Sequence, residues 1–368
     1  MNTCLDYIDW RGDLTFAQSP VNEIDLTIFS QIVMLDFGGI ADTEAVSLGE
    51  AVKKYFEIHR GSSVLEELGP LQPDEMFPNA RAAAKSRRFR DTKISNFVNY
   101  VDSEATEQFC AMTVHLPGNI SLIVFRGTDD SITGWKEDFM FATSDCTPAQ
   151  TDALEYLEQT AGQAAPSGPI LLCGHSKGGN LAAYAAVNTK PDIRKRVVRA
   201  YNLDGPGFSD ALYGSEAYRA VQNRIITVRS QNSTIGTILN TPGKIRIVRS
   251  HAQGMLAHDV FTWEVKGTKF VPCRRMSESS IRFENALRKT LDGMSISERK
   301  AFIEEVFEIL QVTGAGNLKD LVGLSLPDRI KFVKRLGEGG KVINKFFRSM
   351  LEQLMIPNIE NPVQIWKE

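Results

Sequence analysis

Pro169-Ile170-Leu171-Leu172-Cys173-Gly174-His175-Ser176-Lys177-Gly178-Gly179-Asn180-Leu181 is the stretch that decides the fold. A short apolar run, too short for a helix, enters a Gly-x-Ser-x-Gly turn, and a helix-forming segment over Leu181–Val187 leaves it. The bare pattern turns up by chance in chains rich in glycine and serine, so its setting carries the weight: strand before, helix after. A serine on so sharp a strand-to-helix turn has strained backbone, and a side chain at either glycine would collide with neighbouring elements. The turn lifts the Ser176 hydroxyl above the sheet, and the helix N-terminus beneath it favours developing negative charge. The bland alternative is a Gly-rich turn with a bystander serine.

Working outward, further short β-branched or aromatic runs fall at Lys93–Asp102, Gln108–His115, Ile120–Phe125, Val197–Leu203, Arg224–Val228 and Ile245–Val248. The second and third of these flank Pro117-Gly118-Asn119 and read as a hairpin. Helical stretches at Thr151–Gln163 and Leu181–Val187 lie between the later runs. Buried strands alternating with helices predict an α/β domain with a largely parallel sheet. On the N-terminal side, Ile24, Ile28, Ile32 and Leu35, then Ala45, Val46, Leu48, Val52 and Phe56, predict helix through 21–60, with a loop and a short helix over 61–90. From about 277 the chain is helical again. Ser295-Ile296-Ser297-Glu298 is a capping box, Phe302, Val306, Ile309 and Leu310 share a face, and Gly314-Ala315-Gly316 closes that helix. Leu326-Pro327-Asp328 opens another segment, and Ile343–Met355 is a further amphipathic stretch. The expected plan is an N-terminal helical extension packed on the core at 1–90, an α/β core at 91–275 and a C-terminal helical region at 276–368.

The chain has 368 residues, 42% of them hydrophobic, which is ample apolar material to offset chain entropy and excludes disorder as its main state. A formal charge of -3 argues against nucleic acid as the main partner. The basic runs Lys85–Arg90 and Arg194–Arg199 read as solvated faces. No apolar run approaches the roughly 18 residues of a membrane span. The first ten residues have no basic start, no apolar stretch and two early acids, Asp6 and Asp9, which is not a secretory signal. The cysteines Cys4, Cys110, Cys146, Cys173 and Cys273 are odd in number and form no Cys-x-x-Cys pair. They read as reduced thiols of a cytoplasmic protein, although a mature secreted fragment would look similar. No Cys/His spacing fits a tetrahedral zinc site, and no metal or organic cofactor is expected.

The second informative segment is Phe125-Arg126-Gly127-Thr128, followed by Trp135-Lys136-Glu137-Asp138. It resembles the oxyanion loop of class 3 lipases, which read Phe-Arg-Gly-[Ser/Thr], then Trp, then Asp. Those enzymes also carry a Gly-His-Ser-x-Gly-Gly elbow, as Gly174–Gly179 does here. The closer resemblance is to a bacterial family of lipase-like hydrolases with Lys after the serine and an Asp-Gly-Pro-Gly-Phe segment like Asp204–Phe208. It spans roughly 90–265, with weaker echoes at the N-terminus, and stops short of the C-terminal helices. The resemblance implies the α/β-hydrolase fold: a mostly parallel central sheet flanked by helices. It implies that Thr128 offers the oxyanion its backbone N–H and its hydroxyl, and that the backbone N–H of Lys177 is the other donor. Arg126 and Trp135 would brace the loop, and the Lys177 ammonium would lie in solvent.

A serine nucleophile needs a base, and histidine titrates near working pH. His59 lies in the N-terminal helical region, His115 on a strand before the oxyanion loop, and His175 beside the nucleophile. The order serine, acid, histidine leaves His251 and His258. Class 3 lipases place an aromatic and a tryptophan soon after the catalytic histidine, and Phe261 and Trp263 favour His258. The acid is less evident. Class 3 lipases take it from the loop after the second strand beyond the elbow; here that loop, Arg229–Gly236, has no carboxylate. Asp204, at the end of the strand before it, can orient the imidazole from an adjacent position, or it can cap the Gly-Pro-Gly turn through backbone N–H groups. Asp259 adjoins His258 and would point away from it. A Ser–His dyad with Asn232 or Ser233 nearby is a slower alternative.

Only about a dozen residues separate Asp138 from the next helix, and Phe139–Ser144 is too short for a lid of several turns. Phe346-Phe347 and Met350-Leu351 could supply cover, or simply pack on the core. The expected activity is hydrolysis of a carboxylic ester or thioester through a seryl acyl-enzyme, on a small esterase-, lysophospholipase- or thioesterase-type substrate rather than an oil droplet. A serine peptidase and a non-catalytic binding module on the same fold are the alternatives.

Overall fold

The computed structural model describes residues 1–70, 72–129, 131–161 and 167–311. Among these, eight strands form one sheet in chain order: β1 (Val46–Ser47), β2 (Lys93–Asp102), β3 (Glu107–Leu116), β4 (Ile120–Phe125), β5 (Ile170–His175), β6 (Val197–Leu203), β7 (Ile225–Ser230) and β8 (Lys244–Val248). Neighbours from β1 to β4 are antiparallel, and those from β4 to β8 are parallel. The β3–β4 hairpin turns at Gly118 and Asn119, whose φ values of 78° and 60° suit glycine and asparagine. β9 (Val265–Lys266) and β10 (Lys269–Phe270) form a separate small hairpin. With the strand–turn–helix at Ser176, this is the α/β-hydrolase fold that the sequence pattern implies.

Parallel strands laid down in one direction across a sheet, joined by right-handed crossovers, put every crossover on the same face. The connections carry α6 (Ile132–Met140), α7 (Pro148–Thr160), α8 (Lys177–Asn188), α9 (Pro191–Arg196), α10 (Asp210–Tyr213) and α11 (Glu216–Val221). Residues of α7, α8 and α11 share one apolar cluster with Ile123, Phe125, Ile170, Leu172 and Ile225 of the sheet. The other face would stay wet without a second cover. The N-terminal helices α1 (Cys4–Arg11), α2 (Glu23–Ile32), α3 (Leu48–Ile58), α4 (Val64–Leu68) and α5 (Met76–Lys85) supply it, packing with Leu122, Val124, Leu171, Cys173 and Val228 in the larger cluster. Alternate residues of β4 and β5 therefore enter opposite clusters, as the two-residue period of a strand requires. A sheet covered on both sides needs apolar residues at successive positions, which is why these strands read as continuous apolar runs.

All ten residues of α2 are buried. The helix predicted through 21–60 is interrupted. Asp36 and Asp42 accept hydrogen bonds from the backbone N–H groups of Gly38 and Gly39 at 2.9 Å, and Gly39 has φ 72°. These local bonds compete successfully with continuing the helix. Val46 then pairs with Ile94 as a strand residue, and helix resumes at Leu48 under the Ser47 N-cap. The 61–90 region holds two helices, α4 and α5, where the sequence suggests one.

Near the C-terminal end, α12 (Glu278–Asp292) and α13 (Ile296–Gln311) follow. The Ser295–Glu298 capping box is present, with Ser295 N–H donating to Glu298 at 2.7 Å and Glu298 N–H to Ser295 Oγ at 3.2 Å. Of the α13 side chains described, Ile303 and Phe307 are buried and Phe302 is half-buried. Phe307 meets Phe139 of α6 edge-on at 5.6 Å. The predicted features at Gly314–Gly316, Leu326–Asp328 and Ile343–Met355, with the Phe346-Phe347 and Met350-Leu351 pairs, lie outside the described residues. Among the described residues no helix is long and apolar enough to cross a membrane.

Candidate active site

Ser176 sits between β5 and α8 with φ 57° and ψ -131°, a conformation that costs a non-glycine residue about 1–3 kcal/mol. The turn is that tight because three chain segments meet. A Cβ on Gly174 would lie 2.2 Å from the Gly178 backbone, and one on Gly178 would lie 2.1 Å from the Phe125 carbonyl oxygen. Both glycines of the motif are therefore imposed by packing. Ser176 N–H donates to the Leu203 carbonyl at 2.9 Å, which ties the elbow to the end of β6.

The next residue after that carbonyl is Asp204. It is fully buried, with φ 53°, and its Oδ2 lies 2.8 Å from His258 Nδ1. Its other oxygen accepts from Ser233 Oγ at 2.5 Å. The turn-capping alternative fails on geometry: Gly205 N–H is held at 2.8 Å by Asn202 Oδ1, which leaves the Asp204 carboxylate to His258 and Ser233. The loop after β7, which lacks a carboxylate, reaches Asp204 through the Ser233 hydroxyl.

His258 is partly exposed and Ser176 half-buried. The tryptophan expected after the histidine holds its approach: Trp263 is fully buried and its Nε1 donates to the Ala257 carbonyl at 3.0 Å. His251 stands apart and exposed, with its backbone N–H on the Thr262 carbonyl. Asn232 holds the Ala252 carbonyl at 2.6 Å. Asp259 turns its carboxylate onto Phe261 N–H at 2.8 Å, away from the imidazole beside it.

On the other side of Ser176, a Cβ on Gly127 would lie 3.3 Å from Ser176 Cβ, so the loop after β4 lies against Ser176. Thr128 follows, and its hydroxyl donates to Asp138 Oδ2 at 2.5 Å. Burial pushes the Asp138 carboxyl up to about 7, against the opposing pull of the Lys177 ammonium and the Thr128 hydroxyl. Arg126 braces the loop as anticipated, reaching Asp129 at 3.1 Å. Lys177 opens α8, so its backbone N–H has no intrahelical acceptor.

A family model described as Mbeg1-like matches residues 83–308, more than half of the sequence. The chain belongs to the Mbeg1-like family. A search of the curated proteins returns no match. Among solved structures, the chain is similar to lipase II from Rhizopus niveus, at 13% identity and TM-score 0.38 over 75% of this chain and 91% of that one. It is similar to a mutant form of MDLA from Penicillium cyclopium, at 12% identity and TM-score 0.37 over 71% and 92%. It is also similar to Rhizomucor miehei lipase in its propeptide complex, at 14% identity and TM-score 0.36 over 61% and 67%. Likenesses of this degree transfer no residue role to the Mbeg1-like chain.

Two features of this Mbeg1-like site were not legible in the sequence. The first is His175, whose Nε2 lies 2.8 Å from the His258 carbonyl oxygen and whose ring lies against the His258 ring at a centroid distance of 4.4 Å. A carbonyl can only accept, so Nε2 carries the proton, and burial beside a second imidazole holds the His175 pKa well below its usual range. His175 is thus a neutral support beside His258. The second is a correction. The Lys177 ammonium, expected in solvent, is buried. It donates to the Gln108 carbonyl at 2.6 Å and to Glu137 Oε2 at 2.9 Å. A side chain starting at a helix N-terminus wedged between β3 and α6 has no path to water.

Proposed function

We propose that this protein is a serine hydrolase of carboxylic esters or thioesters. The observation that carries the reading is the pairing of a buried Asp204, at the end of β6, with His258 Nδ1 at 2.8 Å, beside a backbone-strained Ser176. Asp204 commits the Nδ1 proton, so His258 Nε2 is the free base. Nε2 takes the Ser176 proton as Oγ attacks the carbonyl carbon. The oxyanion is held by the Lys177 and Thr128 backbone N–H groups. The alcohol or thiol leaves with the proton from His258, and a water deprotonated by the same imidazole releases the acid. Among the described residues the Ser176 hydroxyl forms no hydrogen bond; serine–imidazole contacts of this kind tighten when substrate binds.

A cavity of about 290 Å³ lies between the α6–α7 connection, the segments around Asp210 and Leu239, and the C-terminal helices, with Phe141, Ala211, Thr237 and Leu287 in its wall. All five cysteines are free thiols, which supports a cytoplasmic setting.

Fluorophosphonate labelling with mass-spectrometric location of the adduct tests the reading. Label on Ser176 is expected, and Ser176→Ala or His258→Ala should lower ester turnover by at least about 10⁴-fold with folding intact. The second reading, a binding module on a hydrolase fold, draws on the unpaired Ser176 hydroxyl; folded protein that takes no label would favour it and end the enzyme claim.

A further inference from the structure

Buried Lys177 is hard to account for as packing. Taking two charges out of water costs several kcal/mol per ion, and an apolar pair would fill the same space more cheaply. Both side chains of the Lys177–Glu137 pair are completely buried. What the pair adds is direction. Glu137 collects three chain segments: its Oε2 accepts from Lys177 Nζ and, at 3.1 Å, from Gln108 N–H of β3, while its Oε1 accepts from Ala149 N–H at the start of α7 at 2.7 Å. The neighbouring residue on the same helix, Asp138, receives the Thr128 hydroxyl. Two adjacent residues of α6 thus hold the two sides of the oxyanion site, one gripping the elbow and the other the Thr128 loop. From outside, α6 is fastened to α13 by Lys136–Glu304 at 2.9 Å and by Phe139 on Phe307.

We propose that the Lys177 side chain is the positioning element of the oxyanion hole: through Glu137 and α6 it fixes the spacing between the Lys177 N–H and Thr128. One residue then serves as donor through its backbone and as gauge through its side chain. The ammonium touches no reacting atom, so it acts on the transition state only through α6. This rests on the hydrolase reading above. Donor spacing matters most when negative charge has developed, so the loss should fall on kcat and spare KM.

The test measures kcat and KM for p-nitrophenyl butyrate, together with the rate of fluorophosphonate labelling at Ser176. Lys177→Met should lower kcat about 100-fold with KM held within about twofold, and slow labelling in parallel. Glu137→Gln, which keeps one acceptor oxygen, should lower kcat about tenfold, and the double variant should lose no more than Lys177→Met alone because the two act as a unit. Arg88→Met breaks a fully buried ion pair elsewhere in the molecule and controls for general loosening; its kcat per folded molecule should match wild type. The inference is overturned if Lys177→Met keeps kcat within about threefold, if its loss appears in KM, or if Arg88→Met loses as much. If Lys177→Met does not fold, Glu137→Gln decides, and unchanged kcat and labelling there overturn the proposal. Wild-type protein that takes no label at Ser176 removes the hydrolase reading itself, an outcome distinct from normal labelling in every variant.

Discussion

Two ion pairs in this protein are buried to the same extent and tie different kinds of segment. Arg88 and Asp25 lie under the N-terminal face of the sheet, and Lys177 and Glu137 lie under the elbow; all four side chains are fully inaccessible. Arg88 donates to both Asp25 oxygens and to the carbonyls of Leu14, Ser19 and Pro20, while Tyr7 adds its hydroxyl to Asp25 at 2.9 Å. Every partner belongs to the first 25 residues. That pair closes an irregular stretch whose carbonyls have no ladder to join. The Lys177 pair joins segments that already have regular structure, so the closure it adds is geometric. The lesson is that two ion pairs alike in burial and distance can differ in the segments they tie.

The largest effect that separates the two is on stability. Arg88→Met leaves Asp25 buried without its guanidinium and strands three carbonyls, and a cost of about 3–5 kcal/mol is expected. Urea unfolding should show it as a lowered midpoint, with ester turnover per folded molecule unchanged. Turnover falling in step with stability would mean that the N-terminal cover reaches the site after all, and the contrast between the pairs would be lost.

A second contrast lies within two adjacent residues. His258 faces Asp204 and the elbow; Asp259 faces the N-terminal side, where Cys4 and Glu75 are its charged or titratable neighbours along with His258 itself. Burial pushes the Asp259 carboxyl up to about 7. The folded state therefore holds the proton more tightly than the unfolded chain. Nothing is lost below about pH 4, where both states are protonated; the cost grows as pH rises and levels off above the folded pKa. Between pH 5 and 8 that amounts to roughly 2–3 kcal/mol. Asp259→Asn keeps an acceptor for Phe261 N–H and should flatten this decline in a series of urea titrations. An unaltered slope would assign the pH dependence to Asp138, whose carboxyl burial raises to a similar value.

What could be read from the sequence follows from what is local. The elbow, the strands and the Ser295 cap are short-range patterns, and each predicted strand lies within a few residues of the one found. The break at Asp36–Asp42 was missed because the apolar spacing on either side of it happens to stay helical, while the side-chain bonds to Gly38 and Gly39 beyond the end of α2 leave no periodic trace. His258, singled out by residue order and by the resemblance that Trp263 carries, is the histidine found beside Asp204. The role of Ser233 was not legible, since a serine in a polar loop looks like any other, and it is its position opposite Asp204 in the folded chain that gives it a partner. Lys177 is the sharpest case: a lysine at a helix start reads as solvated by default, and only the packing of β3 and α6 around it shows otherwise.

The smallest expected effect concerns that serine and a second one a few residues away. Ser233 donates to Asp204 and accepts from Gly236 N–H at 3.1 Å; the Ser230 hydroxyl, also fully buried, has no hydrogen-bond partner among the described residues. Ser233→Ala strands one oxygen of a buried carboxylate and should cost about 1–2 kcal/mol in stability, with a loss of up to about tenfold in kcat as Asp204 gains freedom to rotate away from His258. Ser230→Ala removes a hydroxyl that bonds to nothing, and should be neutral or stabilising by up to about 1 kcal/mol with kcat unchanged. Measuring both by urea unfolding and ester turnover isolates the hydrogen bond from the loss of a serine in this loop. If both variants lose kcat alike, the loop matters as a packing unit. If only Ser233→Ala does, the hydroxyl has taken a place in the site that a loop without a carboxylate could still fill.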